Sequence, residues 1–231
     1  MTSANAHIQQ DILLIADPKI LAIPVHENHE ELVDLRSQNI IAFGSSPEVP
    51  NNTDYTKMRK QVYDKLVEAQ ALLPNGLKFR IYEALRSLSL QERLFKDRFE
   101  IVKKSNPAWS HEDIFKETTR LVSPVVNIDG TRNVPPHSTG AAIDIYLIDG
   151  KGQVVDMGIR TEDWILDEDG SISVTDSTKI SAEAQANRKI MGDALSKVGF
   201  VNYKTEYWHW SYGDRYWAYY KEQPFAFYGS V

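Results

Sequence analysis

Four polar side chains from two distant stretches of the sequence have the types and spacing of a catalytic metal site. His137 and Asp144 lie seven residues apart, and Glu206 and His209 lie three apart. Two histidines and one carboxylate, with water in the fourth position, are a recognised arrangement for catalytic zinc. A further carboxylate beside such a site is the usual base for activating that water. Considered together, the four residues indicate zinc-dependent hydrolysis.

Each of these residues also has an ordinary structural interpretation when it is taken alone. Asp144 lies in an otherwise apolar segment. There it either faces solvent on a half-exposed strand or is buried and paired, because an unpaired buried carboxylate is costly. Glu206 fits a surface carboxylate, and His209 fits a core histidine. The metal interpretation therefore depends on the four residues as a set.

The spacing also sets conditions on the backbone around the site. An odd separation of seven would put His137 and Asp144 on opposite faces of one continuous strand. If both bind one ion, His137 must lie in the loop before the strand, where Gly140 lets the chain turn. Glu206 and His209 would likewise face opposite ways in a straight strand, so a bulge or turn is expected between them.

The remaining histidines fit a metal site poorly. His26 and His29 flank the glutamate of the segment HENHE. A zincin motif needs histidines four apart on one helix face, so a solvated polar loop is the preferred interpretation of that segment. His7 lies in an expected flexible tail. His111 lies in the first turn of a predicted surface helix, and nothing nearby in the sequence suggests a metal partner.

The elements that must position the four residues are predicted from periodicity and from capping and turn signals. Helices are expected over residues 55–73, 88–104 and 181–198 and after Ser110, and strands over 77–84, 142–148 and 200–210. The pattern predicts an α+β fold: one domain in which a small, mostly antiparallel sheet carries the zinc site and several helices pack against it. Residues 1–29 are predicted to be an extended lead-in, because Pro18 and Pro24 break helices, and residues 30–231 form the domain.

Composition narrows the possible functions of the chain. Its 231 residues are 42% hydrophobic and 25% charged, which is typical of a globular domain. The net charge of -6 disfavours nucleic-acid binding, and the absence of cysteine excludes cysteine-ligated metal sites. No apolar run is long enough for a membrane span or a signal-peptide core, so a cytoplasmic location is expected. The oligomeric state stays open.

Two motifs in this chain resemble those of a known group of zinc peptidases. The run from His137 to Asp144 resembles the S-x-H-x-x-G-x-A-x-D motif shared by D-Ala-D-Ala dipeptidases (VanX-type) and D,D-carboxypeptidases, and the run from Glu206 to His209 resembles their E-x-W-H motif. Three further segments are similar to the dipeptidase branch: residues 208–218, the segment ending at Arg86, and the Asp-Leu-Arg at residues 34–36. The resemblance covers roughly residues 30–231.

The resemblance implies a role for each matching residue. His137, Asp144 and His209 would bind one Zn²⁺ per chain, and Glu206 would transfer the proton from water to the leaving amine. Arg86 would hold or polarise the substrate, with Ser138 as a further substrate contact. The implied substrate is a small D-amino-acid dipeptide.

This chain departs from the family pattern near the expected substrate position. Pro135 replaces the serine of the first motif, and Glu83 and Leu85 replace the more usual aspartate and tyrosine before Arg86. The reaction type is therefore better defined than the substrate. A D,D-carboxypeptidase acting on peptidoglycan stems and a non-catalytic peptidoglycan-binding domain on the same frame are the two alternatives. A closed pocket would indicate a dipeptidase, and an open groove a carboxypeptidase.

Overall fold

A five-stranded sheet organises the computed structural model, which describes residues 12–47, 49–167 and 169–231. The strands are β1 (Leu32–Asp34), β2 (Ala42–Phe43), β3 (Lys57–Arg59), β4 (Lys78–Glu83), β5 (Ala142–Ile148), β6 (Val201–Asn202) and β7 (His209–Ser211). The sheet order is β2-β4-β5-β7-β6, in which β2 and β4 are parallel and the other neighbours antiparallel. Strands β1 and β3 form a separate antiparallel pair. The predicted α+β class, with its small, mostly antiparallel sheet, is confirmed.

Helices accompany the sheet, and most of them have clear capping signals. They are α1 (Pro18–Leu21), α2 (Lys60–Gln70), α3 (Leu88–Ser105), α4 (His111–Thr118), α5 (Ala182–Lys197) and α6 (Arg215–Tyr220). Ser87, Ser110 and Ser181 each accept a hydrogen bond from the backbone N–H three residues later, as N-caps do. Within the described ranges, none of these helices combines the length and the apolar character that crossing a membrane requires.

Strand β5 is the central strand, and all seven of its residues are buried. Ile143, Ile145 and Leu147 belong to the main apolar core, which includes Leu66 of α2 and Leu195 of α5. The alternative that this segment is a half-exposed strand, with Asp144 facing solvent, is therefore wrong. Both faces of β5 are covered, which places Asp144 in the interior and makes a partner for its carboxylate necessary.

Three predicted elements differ from the structure in their extent. The helix expected over residues 55–73 begins only at Lys60, because residues 57–59 pair with β1 as a strand. The expected strand over 200–210 is two short strands with a turn between them. The N-terminal segment, expected to be extended, contains α1. There Pro18 occupies the first turn, where proline is tolerated, and the Asp17 side chain caps the helix.

A buried arginine attaches the N-terminal segment to the loop before β5. The side chain of Arg59 is only 4% exposed. Its Nε donates to the backbone oxygen of Thr139 at 2.8 Å, its Nη1 to that of Glu30 at 2.7 Å, and its Nη2 to the Glu27 carboxylate at 3.0 Å. Glu27 also accepts from the backbone N–H of Gly229. The HENHE segment is an exposed loop, as predicted, and it also attaches to Arg59 through Glu27 and Glu30.

We expect Arg59→Ala to destabilise the protein by on the order of 3 kcal/mol, because it leaves a partly buried carboxylate and two buried carbonyls without their donor. For a chain of this size, that loss corresponds to a decrease in Tm of roughly 10 °C in a thermal melt. Arg93→Ala on the exposed face of α3 is the matched control. Equal melting temperatures for the two variants would contradict the assigned role of Arg59.

Candidate metal centre

Three neighbouring elements position the predicted metal ligands. His137 lies in a 3-10 helix, Pro136–Thr139, that ends where Gly140 takes a φ of 71° and directs the chain into β5. Asp144 lies in β5, and His209 is its direct cross-strand partner in β7. The predicted turn at Gly140 is confirmed, and it lets residues seven apart in sequence point to one place.

The ligand atoms of these residues converge closely. His209 Nδ1 lies 3.1 Å from His137 Nε2 and 3.1 Å from Asp144 Oδ1, and His137 Nε2 lies 3.4 Å from Asp144 Oδ1. A tetrahedral Zn²⁺ site with bonds of 2.0–2.1 Å has ligand atoms about 3.3 Å apart. The separations and the nitrogen and oxygen donors therefore both fit Zn²⁺.

No other cluster of this kind is found in the described parts of the chain. His26, His29 and His111 lie outside the cluster, as the sequence predicts. His26 instead stacks on Phe225, and His111 packs against the aromatic rings of α3 and α4. His7 lies outside the described residues.

The surroundings orient the imidazole of His137 and keep Asp144 ionised. His137 Nδ1 lies 2.8 Å from the backbone oxygen of Ala84 and donates to it, which leaves Nε2 as the ligand atom. Burial raises the pKa of Asp144, but the adjacent imidazoles of His137 and His209 lower it further, so its net pKa is below the usual range. Asp144 is therefore an ionised carboxylate at neutral pH.

Glu206 lies beside the three-residue cluster and is not part of it. Its Oε2 is 3.9 Å from His209 Nδ1. The backbone N–H of His209 donates to the backbone oxygen of Glu206 at 3.1 Å, which closes the turn predicted between these residues. Burial raises the pKa of Glu206 to about 7. A carboxylate with a pKa near the working pH suits a general base.

Arg86 is held rigidly at the end of β4. Its Nε donates to Glu83 Oε2 at 3.1 Å, its Nη2 donates to the same atom, and its Nη1 donates to Gln91 Oε1 at 2.9 Å. Its backbone N–H donates to the oxygen of His137 at 3.1 Å. Sequence reasoning identified Glu83 only as a departure from the family pattern and missed Gln91, although its position one turn into α3 was a usable signal.

A cavity of about 250 Å³ opens from the cluster. Asp144, Glu206 and Arg86 contribute to its lining, and a second cavity of about 50 Å³ shares these three residues and adds both histidines. The rest of the larger cavity is mainly apolar, with side chains from α3, from residues 121–122 and from the 3-10 helix Thr161–Leu166. The four predicted residues therefore lie where a small ligand can reach them.

Ser138, the further predicted substrate contact, is fully buried. Its Oγ has no hydrogen-bond partner among the described residues, and it lies outside the lining of both cavities. Its role in substrate binding stays a prediction.

Similarity to known proteins extends over most of the chain. The family model of Peptidase_M15, described as D-ala-D-ala dipeptidase, matches residues 51–229. A D-alanyl-D-alanine dipeptidase of Synechocystis sp. is 26% identical over 91% of this chain and 96% of its own length. The D-alanyl-D-alanine dipeptidase of Escherichia coli is 34% identical over 32% of this chain and 35% of its own length. The solved structure of VanYB in complex with D-alanine-D-alanine is 11% identical, with a TM-score of 0.41 over 89% of this chain and 93% of that one.

Proposed function

We propose that this chain, which belongs to the Peptidase_M15 family of D-Ala-D-Ala dipeptidases and is a metallopeptidase, hydrolyses the peptide bond of D-Ala-D-Ala or a similar small D-amino-acid dipeptide. The observation that carries the proposal is the convergence of His137, Asp144 and His209, with ligand atoms 3.1–3.4 Å apart, beside the buried carboxylate of Glu206. This arrangement matches the donors and the base that zinc-dependent hydrolysis needs.

The metal ligands and the base have separate roles in the proposed reaction. His137, Asp144 and His209 would hold Zn²⁺, which supplies Lewis acidity toward the scissile carbonyl. Glu206, at the junction of the two cavities, accepts the proton of the attacking water and later donates it to the leaving amine. Its environment favours both steps, because a carboxyl group with a pKa near 7 both accepts and releases a proton at neutral pH.

Arg86 would stabilise the negative charge that develops on the carbonyl oxygen. Its guanidinium stays charged and is oriented by Glu83 and Gln91 before the substrate arrives. Because the Glu83 side chain is fully buried, the ion pair restrains Arg86 more than a surface pair would. We therefore assign Glu83 as a positioning residue for Arg86.

The cavity favours a short substrate. Its volume of about 250 Å³ lies just below the roughly 300–1,000 Å³ of pockets for drug-sized ligands. The chain also covers nearly the whole length of the Synechocystis dipeptidase. A dipeptide is therefore preferred over a peptidoglycan stem as the substrate. The cytoplasmic location expected from the sequence stays a prediction.

The test is hydrolysis by the zinc-loaded protein of D-Ala-D-Ala and of N-acetyl-D-Ala-D-Ala, with D-alanine release as the measurement. We expect the free dipeptide to be preferred by roughly tenfold or more in kcat/KM, since a small cavity discriminates against added atoms. Removal of the metal by a chelator should abolish turnover, and added Zn²⁺ should restore it. A preference for the acetylated substrate would favour a carboxypeptidase, and zinc binding with no turnover of any D,D-peptide would favour a binding domain.

A further inference from the structure

One face of α3 runs along the cavity from Arg86 outward. Gln91, Leu94, Arg98 and Ile101 follow one another at intervals of three, four and three residues, which places them on one side of the helix. Gln91 holds Arg86 at the inner end, and the other three line the cavity. Arg98 is therefore a second cation of this cavity, two helical turns beyond Gln91.

Arg98 differs from Arg86 in its bonding. Arg86 is bound to Glu83 and Gln91. In the described part of the chain, no residue forms a hydrogen bond or an ion pair with Arg98, and its Nε is buried without a partner. Its neighbour Asp97 also lines the cavity and forms no ion pair with Arg98.

A buried guanidinium N–H that lacks an acceptor leaves a polar group unsatisfied, which is unfavourable. The lining around it is supplied largely by Leu94, Ile101 and Ile165. An anion that entered the cavity would accept a hydrogen bond from this N–H. A planar carboxylate matches the guanidinium fork, with two parallel hydrogen bonds.

We propose that Arg98 binds the C-terminal carboxylate of the substrate and thereby sets the specificity of the cavity for free acids. The proposal rests on the hydrolytic function proposed above, because it takes the scissile bond to lie at the metal ligands and Glu206. Seven residues of helix separate Gln91 from Arg98, or about 10 Å along the axis. From the scissile carbonyl to the C-terminal carboxylate an extended dipeptide spans one residue, or about 3.5 Å, and the long side chain of Arg98 covers the remainder.

The test compares D-Ala-D-Ala with D-alanyl-D-alaninamide, which lacks only the carboxylate charge. For Arg98→Met we expect kcat/KM for the acid to fall roughly 10- to 100-fold, mostly through KM, because a charged hydrogen bond made in both ground and transition states is lost. For the amide, kcat/KM in Arg98→Met should fall by less than about threefold, because this substrate has no carboxylate for Arg98 to bind. Arg98→Lys should partly restore the preference for the acid, and Arg93→Met, on the exposed side of the same helix, should match the wild type.

Equal losses for acid and amide in Arg98→Met would overturn the proposal, since a merely structural arginine affects both substrates alike. Failure of the hydrolytic function is separate, because it appears as no turnover by the wild-type protein. In that case calorimetry measures the binding of both compounds to the zinc-loaded protein, and their relative affinities test the contact between Arg98 and the carboxylate. A preference for the acid that Arg98→Met removes supports the carboxylate contact, and identical affinities for acid and amide refute it.

Discussion

Glu206→Ala is expected to lower kcat by about 1,000-fold, which lies within the range that general base catalysis contributes. The carboxylate lies 3.9 Å from His209 Nδ1, outside the His137, Asp144 and His209 cluster. Its removal therefore takes away the proton acceptor without removing a metal ligand. Steady-state hydrolysis of D-Ala-D-Ala, together with metal analysis of the purified variant, measures both quantities.

The zinc content distinguishes a base from a ligand. The Glu206→Ala variant should retain one Zn²⁺ per chain, as the wild type does, while its activity falls. Glu68→Ala, which removes an exposed glutamate of α2, is the matched control and should change neither quantity. If Glu206→Ala loses as much metal as a histidine variant does, the carboxylate is a ligand and the base assignment is wrong.

The two turns beside the site could be predicted from the sequence because they follow from local rules. A strand alternates its side chains, so His137 and Asp144 could converge only if a turn separated them, and Gly140 was the residue able to make that turn. The same reasoning required a turn between Glu206 and His209. Both turns are present in the structure.

The features that could not be predicted depend on packing between distant segments. The burial of both faces of β5 results from helices and loops that its own alternation does not encode. The bonding of Glu27 to Arg59 joins residues 32 apart in sequence. Periodicity continued through residues 57–59, but pairing with β1 made that segment a strand, since tertiary contacts override propensity.

The α3 residues that line the cavity could not be identified from the sequence either. Leu94, Arg98 and Ile101 have ordinary helical spacing, which is equally typical of a surface helix. Only the position of α3 beside the metal cluster places Arg98 in the cavity. Residues with a distinctive chemistry and spacing are thus identifiable in the sequence, whereas residues that gain a role from their neighbours are not.

His209→Ala is expected to abolish both zinc binding and activity. Its Nδ1 lies 3.1 Å from each of the other two ligand atoms. Its loss leaves two protein ligands, fewer than the three that catalytic zinc sites use. Mutation of residues that hydrogen-bond to metal ligands typically lowers metal affinity by about 10–100-fold. Removal of a ligand itself should therefore weaken zinc binding by more than about 100-fold. Titration against a competing chelator measures this affinity.

Thermal melting provides an independent check, because a metal that binds only the folded state stabilises it. At a free Zn²⁺ concentration about 1,000 times Kd, the stabilisation is about 4 kcal/mol, or roughly 8–16 °C in Tm for a chain of this size. The wild type and His26→Ala, which alters an exposed histidine outside the cluster, should both show this increase, and His209→Ala should show almost none. An unchanged zinc-dependent increase in His209→Ala would place the metal elsewhere, since a site that keeps its affinity without this imidazole does not use it.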